Sequence, residues 1–242
     1  MASVSRIVTS TSEAGGLSGR PRFVRFGWMH SDWALLAFAA CFFIFHHLPS
    51  IAGDNAGDWI DLVTPFAVVA ATAAVLTSVG ASPAALLLCL VGAILYVDGH
   101  GIHLAANSIG HEPLVGHAKD VTHFWDERFG HIEWHLGWVT LVAALVVAEA
   151  ASGTTRRFRP SSLALASATV VLLGFTLFTS TVEGGTWWLE LGAAAAFVVW
   201  EILAPRPLLT TCAGAFVLAA VLIAIWAIWH GGVPQFSDVG WL

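Results

Sequence analysis

The residues best suited to chemistry lie in one stretch, 98–135, read DGHGIHLAANSIGHEPLVGHAKDVTHFWDERFGHIEWH. It carries seven histidines (100, 103, 111, 117, 123, 131 and 135) and several carboxylates between two strongly apolar segments. Imidazole is a ligand for Zn, Cu and Fe and a proton carrier near neutral pH, and added carboxylates favour Zn or Fe over Cu(I). On a helix, residues three or four apart share a face. His100, His103 and Asn107 therefore form one stripe. Glu127, His131 and His135 form a second that drifts by about 40° per step of four, and His123 extends it outward. Two such helices facing each other would resemble the carboxylate–histidine metal sites of helical bundles.

The candidate metal ligands are thus His100, His103, His131 and His135, with Glu127 as ligand or base and His123, His47 and His230 as further members. His46 and His47 are adjacent and point about 100° apart, so one of them at most joins the site. His111 and His117 fall in a loop containing Gly and Pro and read as bystanders, and His30 as an interfacial residue. Asp98 lies about 160° from His100 on a regular helix, away from the histidine stripe unless Gly99 and Gly101 break the helix. It is expected to orient a ligand or to act as a catalytic acid. Asp126 is displaced from the Glu127 stripe in the same way, as a partner of Arg128 or an interfacial acid. Glu183 and Glu190 are expected to orient ligands, and Asn107, Ser108 and Asp126 to polarise or pass protons, which makes Asp126 a catalytic candidate beside Asp98 and Glu127.

These residues need helices to carry them, and the composition supplies membrane helices. The 242 residues are 57% hydrophobic and only 11% charged, with a mean hydropathy of +0.77. A water-soluble domain carries about 25% charged residues. Runs of about 20 apolar residues cross a bilayer, and seven are expected: 33–51, 59–79, 83–107, 122–150, 161–181, 187–203 and 208–229. Gly and Pro mark the joints, among them Pro49, Gly80, Pro83, Gly153, Pro160, Pro205 and Pro207. Glu149 and Glu201 fall at the inner ends and are expected to face arginines. The expected architecture is an all-α seven-helix membrane bundle over 28–242, preceded by a disordered tail at 1–27.

Arg6, Arg20, Arg22, Arg25, Arg156, Arg157, Arg159 and Arg206 fall on one side of this topology, against Lys119 and Arg128 on the other. By the excess of positive residues inside, the amino terminus is cytoplasmic and the carboxyl terminus outside. Ten of the eleven histidines then lie toward the outer face, and the tryptophans mark both interfaces. Ionisable groups are costly in a bilayer, so their convergence on one layer marks a functional site.

Several classes are disfavoured. There is no basic patch for nucleic acid, no phosphate-binding loop, no dinucleotide fingerprint and no serine nucleophile elbow. A retinal Schiff base would need a lysine in the bundle, and the single lysine, Lys119, is in a loop. Cys41, Cys89 and Cys212 sit singly in apolar segments as small core residues.

Seven spans with an Asp, a further His and an HxxxH pair resemble the CREST superfamily of membrane metallohydrolases, which includes alkaline ceramidases and adiponectin-receptor-like proteins. The matching residues are His131 and His135, with His100 or His103 and Asp98. The resemblance covers about forty residues. It departs in motif order, since the family's HxxxH lies in the last helix and here it lies in the fourth. It implies a histidine-held zinc that activates water for hydrolysis of a lipid-like amide or ester. The expectation is a membrane metalloenzyme with zinc favoured over iron or copper, acting on a membrane lipid or lipophilic small molecule. The alternatives are a histidine-rich di-iron or copper oxidase, hydroxylase or desaturase, and a metal- or haem-binding transport or electron-transfer protein.

Overall fold

The apolar runs fold as helices that end at the glycines and prolines punctuating them. The structure, a computed structural model, describes residues 31–241 apart from 53, 111 and 154–159. The tail at 1–27, His30, His111 and the arginines at 156, 157 and 159 lie outside the described residues. The helices are α1 (Ser31–Ala52), α2 (Asp54–Val79), α3 (Pro83–Gly110), α4 (His117–Ala151), α5 (Pro160–Glu183), α6 (Trp187–Leu203) and α7 (Pro207–His230). A single 3₁₀ turn, Ser237–Val239, follows, and the described residues contain no strand.

Six of the helices, all but α6, are long and apolar enough to cross a membrane. α6 has 17 residues. Phe66, Leu87, Ile94 and Ile228 remain exposed on the outward faces. A band of large exposed side chains of this kind suits hydrocarbon better than water. Two helices run further than the sequence suggests. α3 continues to Gly110, and α4 begins at His117, which is therefore helical and exposed rather than in a loop.

α4 is the central helix. It packs along α3 and also touches α2, α6 and α7, while α1 lies between α2 and α5, and α7 between α5 and α6. Trp138 of α4 packs on Phe38 and Phe42 of α1, with ring centroids 5.7 and 4.5 Å apart. Glycine sets the α3–α4 distance. Gly92 and Gly99 on α3 interlock with Gly130 and Gly137 on α4, each pair seven residues apart. A Cβ on Gly99 would stand 2.4 Å from the Trp134 backbone nitrogen, and one on Gly137 2.3 Å from that of Tyr96. Small residues at membrane helix interfaces allow this backbone-to-backbone approach.

Two prolines inside helices have specific consequences. Pro65 has no N–H, so the carbonyl of Asp61 one turn earlier has no helical donor; it accepts from His100 Nε2 at 2.9 Å. Pro49 likewise frees the Phe45 carbonyl, which accepts from Thr64 Oγ1 at 3.1 Å. At the opposite end of the bundle the Glu149 carboxylate caps α7, accepting from Leu208 N–H at 3.1 Å and Leu209 N–H at 3.3 Å. Arg206 Nη1 donates to the Glu149 carbonyl at 3.4 Å, and the Arg206 N–H lies 3.5 Å from Glu201 Oε2. Both glutamates thus meet Arg206, though the Glu149 carboxylate itself serves a helix N-terminus, where negative charge is stabilised.

Candidate imidazole–carboxylate site

The two histidine stripes meet where Gly99 and Gly130 bring α3 and α4 together. His103 of α3 and His131 of α4 face each other with ring centroids 4.4 Å apart. His100 lies 6.2 Å from His103, and His135 lies 6.3 Å from His131. His100, His131 and His135 are all buried.

Three of these imidazoles have one nitrogen directed at a carboxylate. His103 Nδ1 donates to Asp126 Oδ1 at 2.6 Å. His100 Nε2 lies 3.1 Å from Asp61 Oδ1, beside its bond to the Asp61 carbonyl. His131 Nδ1 faces Glu127, 3.4 Å from its carbonyl and 3.8 Å from Oε2. The opposite nitrogens, His100 Nδ1, His103 Nε2 and His131 Nε2, have no protein hydrogen bond among the described residues, and His100 Nδ1 is fully enclosed. His135 differs, because both its nitrogens are engaged. Nδ1 donates to the His131 carbonyl at 2.7 Å, and Nε2 accepts from Ser180 Oγ of α5 at 2.8 Å.

Asp126 reaches His103 because α4 is not regular there. Residues Phe124–Gly130 form a π-helical stretch. Its i→i+5 turn is wider than that of an α-helix and changes the angular step, a feature frequent at functional sites. On a uniform α-helix Asp126 and Glu127 would point apart. In the π stretch Asp126 is buried against His103 while Glu127 still faces His131. Of the alternatives expected for Asp126 from the sequence, the pairing with Arg128 is replaced by this contact with His103.

Trp134 was not singled out by the sequence reading, and it lies at the middle of the cluster. Its indole stacks on His103 (5.7 Å) and His135 (5.1 Å), meets His100 edge-on (4.8 Å), and lies 5.8 Å from His131 and 6.0 Å from His46. Position 134 is three residues after 131 and so shares its face, a spacing that could have flagged it. Gly184, just past α5, closes the far side. A Cβ there would stand 3.1 Å from His135 Cε1 and 3.2 Å from His131 Cγ.

Of the adjacent pair on α1, His46 joins the site. It lies against Trp134 and within electrostatic reach of His100, His135 and Asp61. His47, the member favoured from sequence, turns away from the cluster toward α5 and is half-buried. Its Nδ1 donates to the Phe43 carbonyl at 2.8 Å, its Nε2 is 3.1 Å from Thr179 Oγ1, and its ring stacks on Phe175.

Other candidates lie elsewhere. α3 is unbroken through Gly99 and Gly101, so Asp98 is exposed on the face away from His100, beside Glu133. A role as ligand orienter or acid at the cluster is therefore not supported by its placement. His123 is exposed at the start of the π stretch. His230 packs on Trp226 with tilted rings at 4.0 Å and stacks on Trp229 at 5.6 Å at the end of α7. The Ser108 hydroxyl donates to the Leu104 carbonyl within its own helix. Glu183 binds the backbone N–H groups of Phe236 and Ser237. Glu190 is buried on α6 with Oε1 unpartnered.

Imidazoles and carboxylates are side-chain types that can ligate metals, but here they do not converge. Among the described residues, no three His, Cys, Asp or Glu side chains are placed so that they could hold one ion as they stand. The imidazoles are disposed around the Trp134 indole rather than around a common point. No family model, curated protein or solved structure matches the chain.

Proposed function

We propose that the chain is a seven-span membrane protein whose imidazole–carboxylate cluster, at the outer end of the bundle, is the divalent-metal site of an enzyme acting on a lipid-like or other lipophilic substrate. One observation carries the reading. His100, His103 and His131 each turn one ring nitrogen to a carboxylate and leave the other without a protein partner. Metal-ligating histidines are oriented in this way by a carboxylate or carbonyl on the far nitrogen. His100 Nδ1, His103 Nε2 and His131 Nε2 would hold the ion, with His46 beside them. Binding on this reading re-aims at least one imidazole toward the His103–His131 pair, because the present arrangement does not gather three donors.

Zinc suits these nitrogen donors, and zinc-bound water has a pKa near 7, which would serve hydrolysis of an amide or ester. The carboxylates Asp61, Asp126 and Glu127 fix the ring tautomers and take up charge on the imidazoles. A second reading is favoured by the same geometry. Without a metal, the Asp126–His103 pair, with its 2.6 Å contact, is a carboxylate-oriented general base. Metal analysis of the purified protein separates the two. Bound zinc supports the first, and a metal-free protein that still turns over a lipophilic ester or amide supports the second.

The seven-span topology rests on the side bias of Lys and Arg and on the length of α6. Its 17 residues extend about 25 Å, at the short end for a crossing. Val199, Ile202 and Leu203 on α6 stay exposed as on the other helices. In a chain lacking its three native cysteines, Lys119→Cys on intact cells is expected to react with a membrane-impermeant maleimide. Pro205→Cys is expected to react only after permeabilisation. External labelling of Pro205→Cys would mean that α6 does not cross.

A further inference from the structure

The residues after α7 bond directly to the cluster. α7 ends at Gly231, whose φ of 70° turns the chain back in a left-handed conformation that favours glycine. Residues 231–241 then fold over the end of the bundle. Trp226 Nε1 donates to the Pro234 carbonyl at 2.9 Å. Phe236 is buried against Trp226, with ring centroids 4.7 Å apart, and against Phe178 of α5 at 5.5 Å. The N–H groups of Phe236 and Ser237 donate to Glu183 Oε2 at 2.7 and 3.2 Å. Trp241 closes the turn on Trp226 at 4.9 Å.

These contacts fix the residue between Pro234 and Phe236. Gln235 Nε2 donates to the Glu183 carbonyl and, at 3.0 Å, to Glu127 Oε2. That same oxygen lies 3.8 Å from His131 Nδ1. One carboxylate oxygen thus joins the segment after α7 to the imidazole cluster. The Glu127 side chain is part-exposed, and among the described residues Gln235 is the hydrogen-bond donor to its carboxylate.

We propose that residues 231–241 form a strap over the outer side of the cluster, and that Gln235 is a positioning residue whose amide holds the Glu127 carboxylate against His131. The inference takes the cluster as the functional site, but the strap itself needs no metal. A carboxylate that carries an amide hydrogen bond on one side and an imidazole on the other is held in one rotamer. Freed of the amide, it rotates into the outer solvent and leaves His131 Nδ1 facing the Glu127 carbonyl at 3.4 Å alone, with no carboxylate beside it.

The test uses full-length protein in detergent micelles or nanodiscs. It follows hydrogen–deuterium exchange at the C2 position of each histidine ring by mass spectrometry, and zinc affinity by competition with a chromophoric chelator. In Gln235→Ala, exchange at His131 is expected to speed several-fold, with His47, on the far side of α1, unchanged. Gln235→Glu, which sets a carboxylate against Glu127, is expected to change His131 at least as much. Zinc affinity in both is expected to fall at least about tenfold, as when the partner of a ligating histidine is lost. Unchanged His131 exchange in both variants overturns the strap's role, and so does equal acceleration at every histidine, which reports general unfolding. A wild-type chain that binds no zinc, while His131 alone responds to Gln235→Ala, removes the metal reading and leaves the strap in place.

Discussion

Gly137→Ala is expected to break the bundle at its closest contact, with a loss of about 3 kcal/mol or more from overpacking. The added methyl carbon would lie 2.3 Å from the Tyr96 nitrogen, 2.7 Å from its Cα and 2.8 Å from the Gly92 carbonyl oxygen. All three are backbone atoms, so no side-chain rotation relieves the clash and α3 must move away from α4. His100 and His103 travel with α3, whereas His131, His135, Asp126 and Glu127 stay on α4. The variant should therefore lose the 2.6 Å Asp126–His103 bond together with stability. Thermal unfolding in detergent, followed by intrinsic tryptophan fluorescence, reads both effects, since Trp134 lies between the two sets of histidines. Gly101→Ala is the matching control. Position 101 is on the facing helix α3 with open space around it, and the melting temperature of this variant should hold or rise slightly, because alanine is the better helix former. A Gly137→Ala protein as stable as wild type would show that the two backbones do not approach this closely.

Asp126→Asn is expected to lower zinc affinity by about 10- to 100-fold, the usual cost of losing the partner of a metal-ligating histidine. The amide is nearly isosteric, so packing is preserved, but the carboxylate that accepts from His103 Nδ1 is gone. The imidazole then loses both the fixed tautomer and the added basicity that a carboxylate confers. Asp98→Asn should leave zinc affinity unchanged, since Asp98 is on the exposed face of α3. The two substitutions separate an acid chosen by sequence proximity to His100 from one placed by the fold. Equal effects would mean that Asp126 does not orient a ligand. Isothermal titration or chelator competition at fixed pH and salt makes the comparison.

The helices and the two stripes were legible in the sequence because both depend on short-range periodicity. The apolar runs, their Gly and Pro joints, and the HxxH and ExxxHxxxH spacings all lie within a few turns of one helix. Residues that join the site from a distance were not legible in this way. Asp61 enters because Pro65 frees its carbonyl for His100, a signal present in the sequence but meaningful only once α2 lies beside α3. Asp126 enters through a π-helical stretch that the regular-helix angle excludes. The choice of His46 over His47 depends on how α1 rotates against Trp134 and Trp138, which adjacent residues on one helix cannot reveal. The glycines at 92, 99, 130 and 137 were visible as residues, yet their seven-residue spacing on two segments acquires meaning only when the two are superposed. Gln235 lies 108 residues from Glu127, and no local pattern joins them. The prominence of Asp98 came from its place beside Gly99 and His100, and an unbroken α3 turns it outward.

The most direct measurement of the account is the metal content of the purified protein, taken by mass spectrometric elemental analysis with an absorption spectrum of the same sample. The wild-type chain is expected to carry a stoichiometric divalent metal, with zinc and no visible band for hydrolytic chemistry. His103→Ala and His131→Ala should each lose the metal while remaining folded and monodisperse. An iron signal with a visible band would redirect the reading to oxidation, and a Soret band to haem. A wild-type protein that stays metal-free after incubation with zinc, with both alanine variants folded normally, would contradict the claim that the cluster is a metal site.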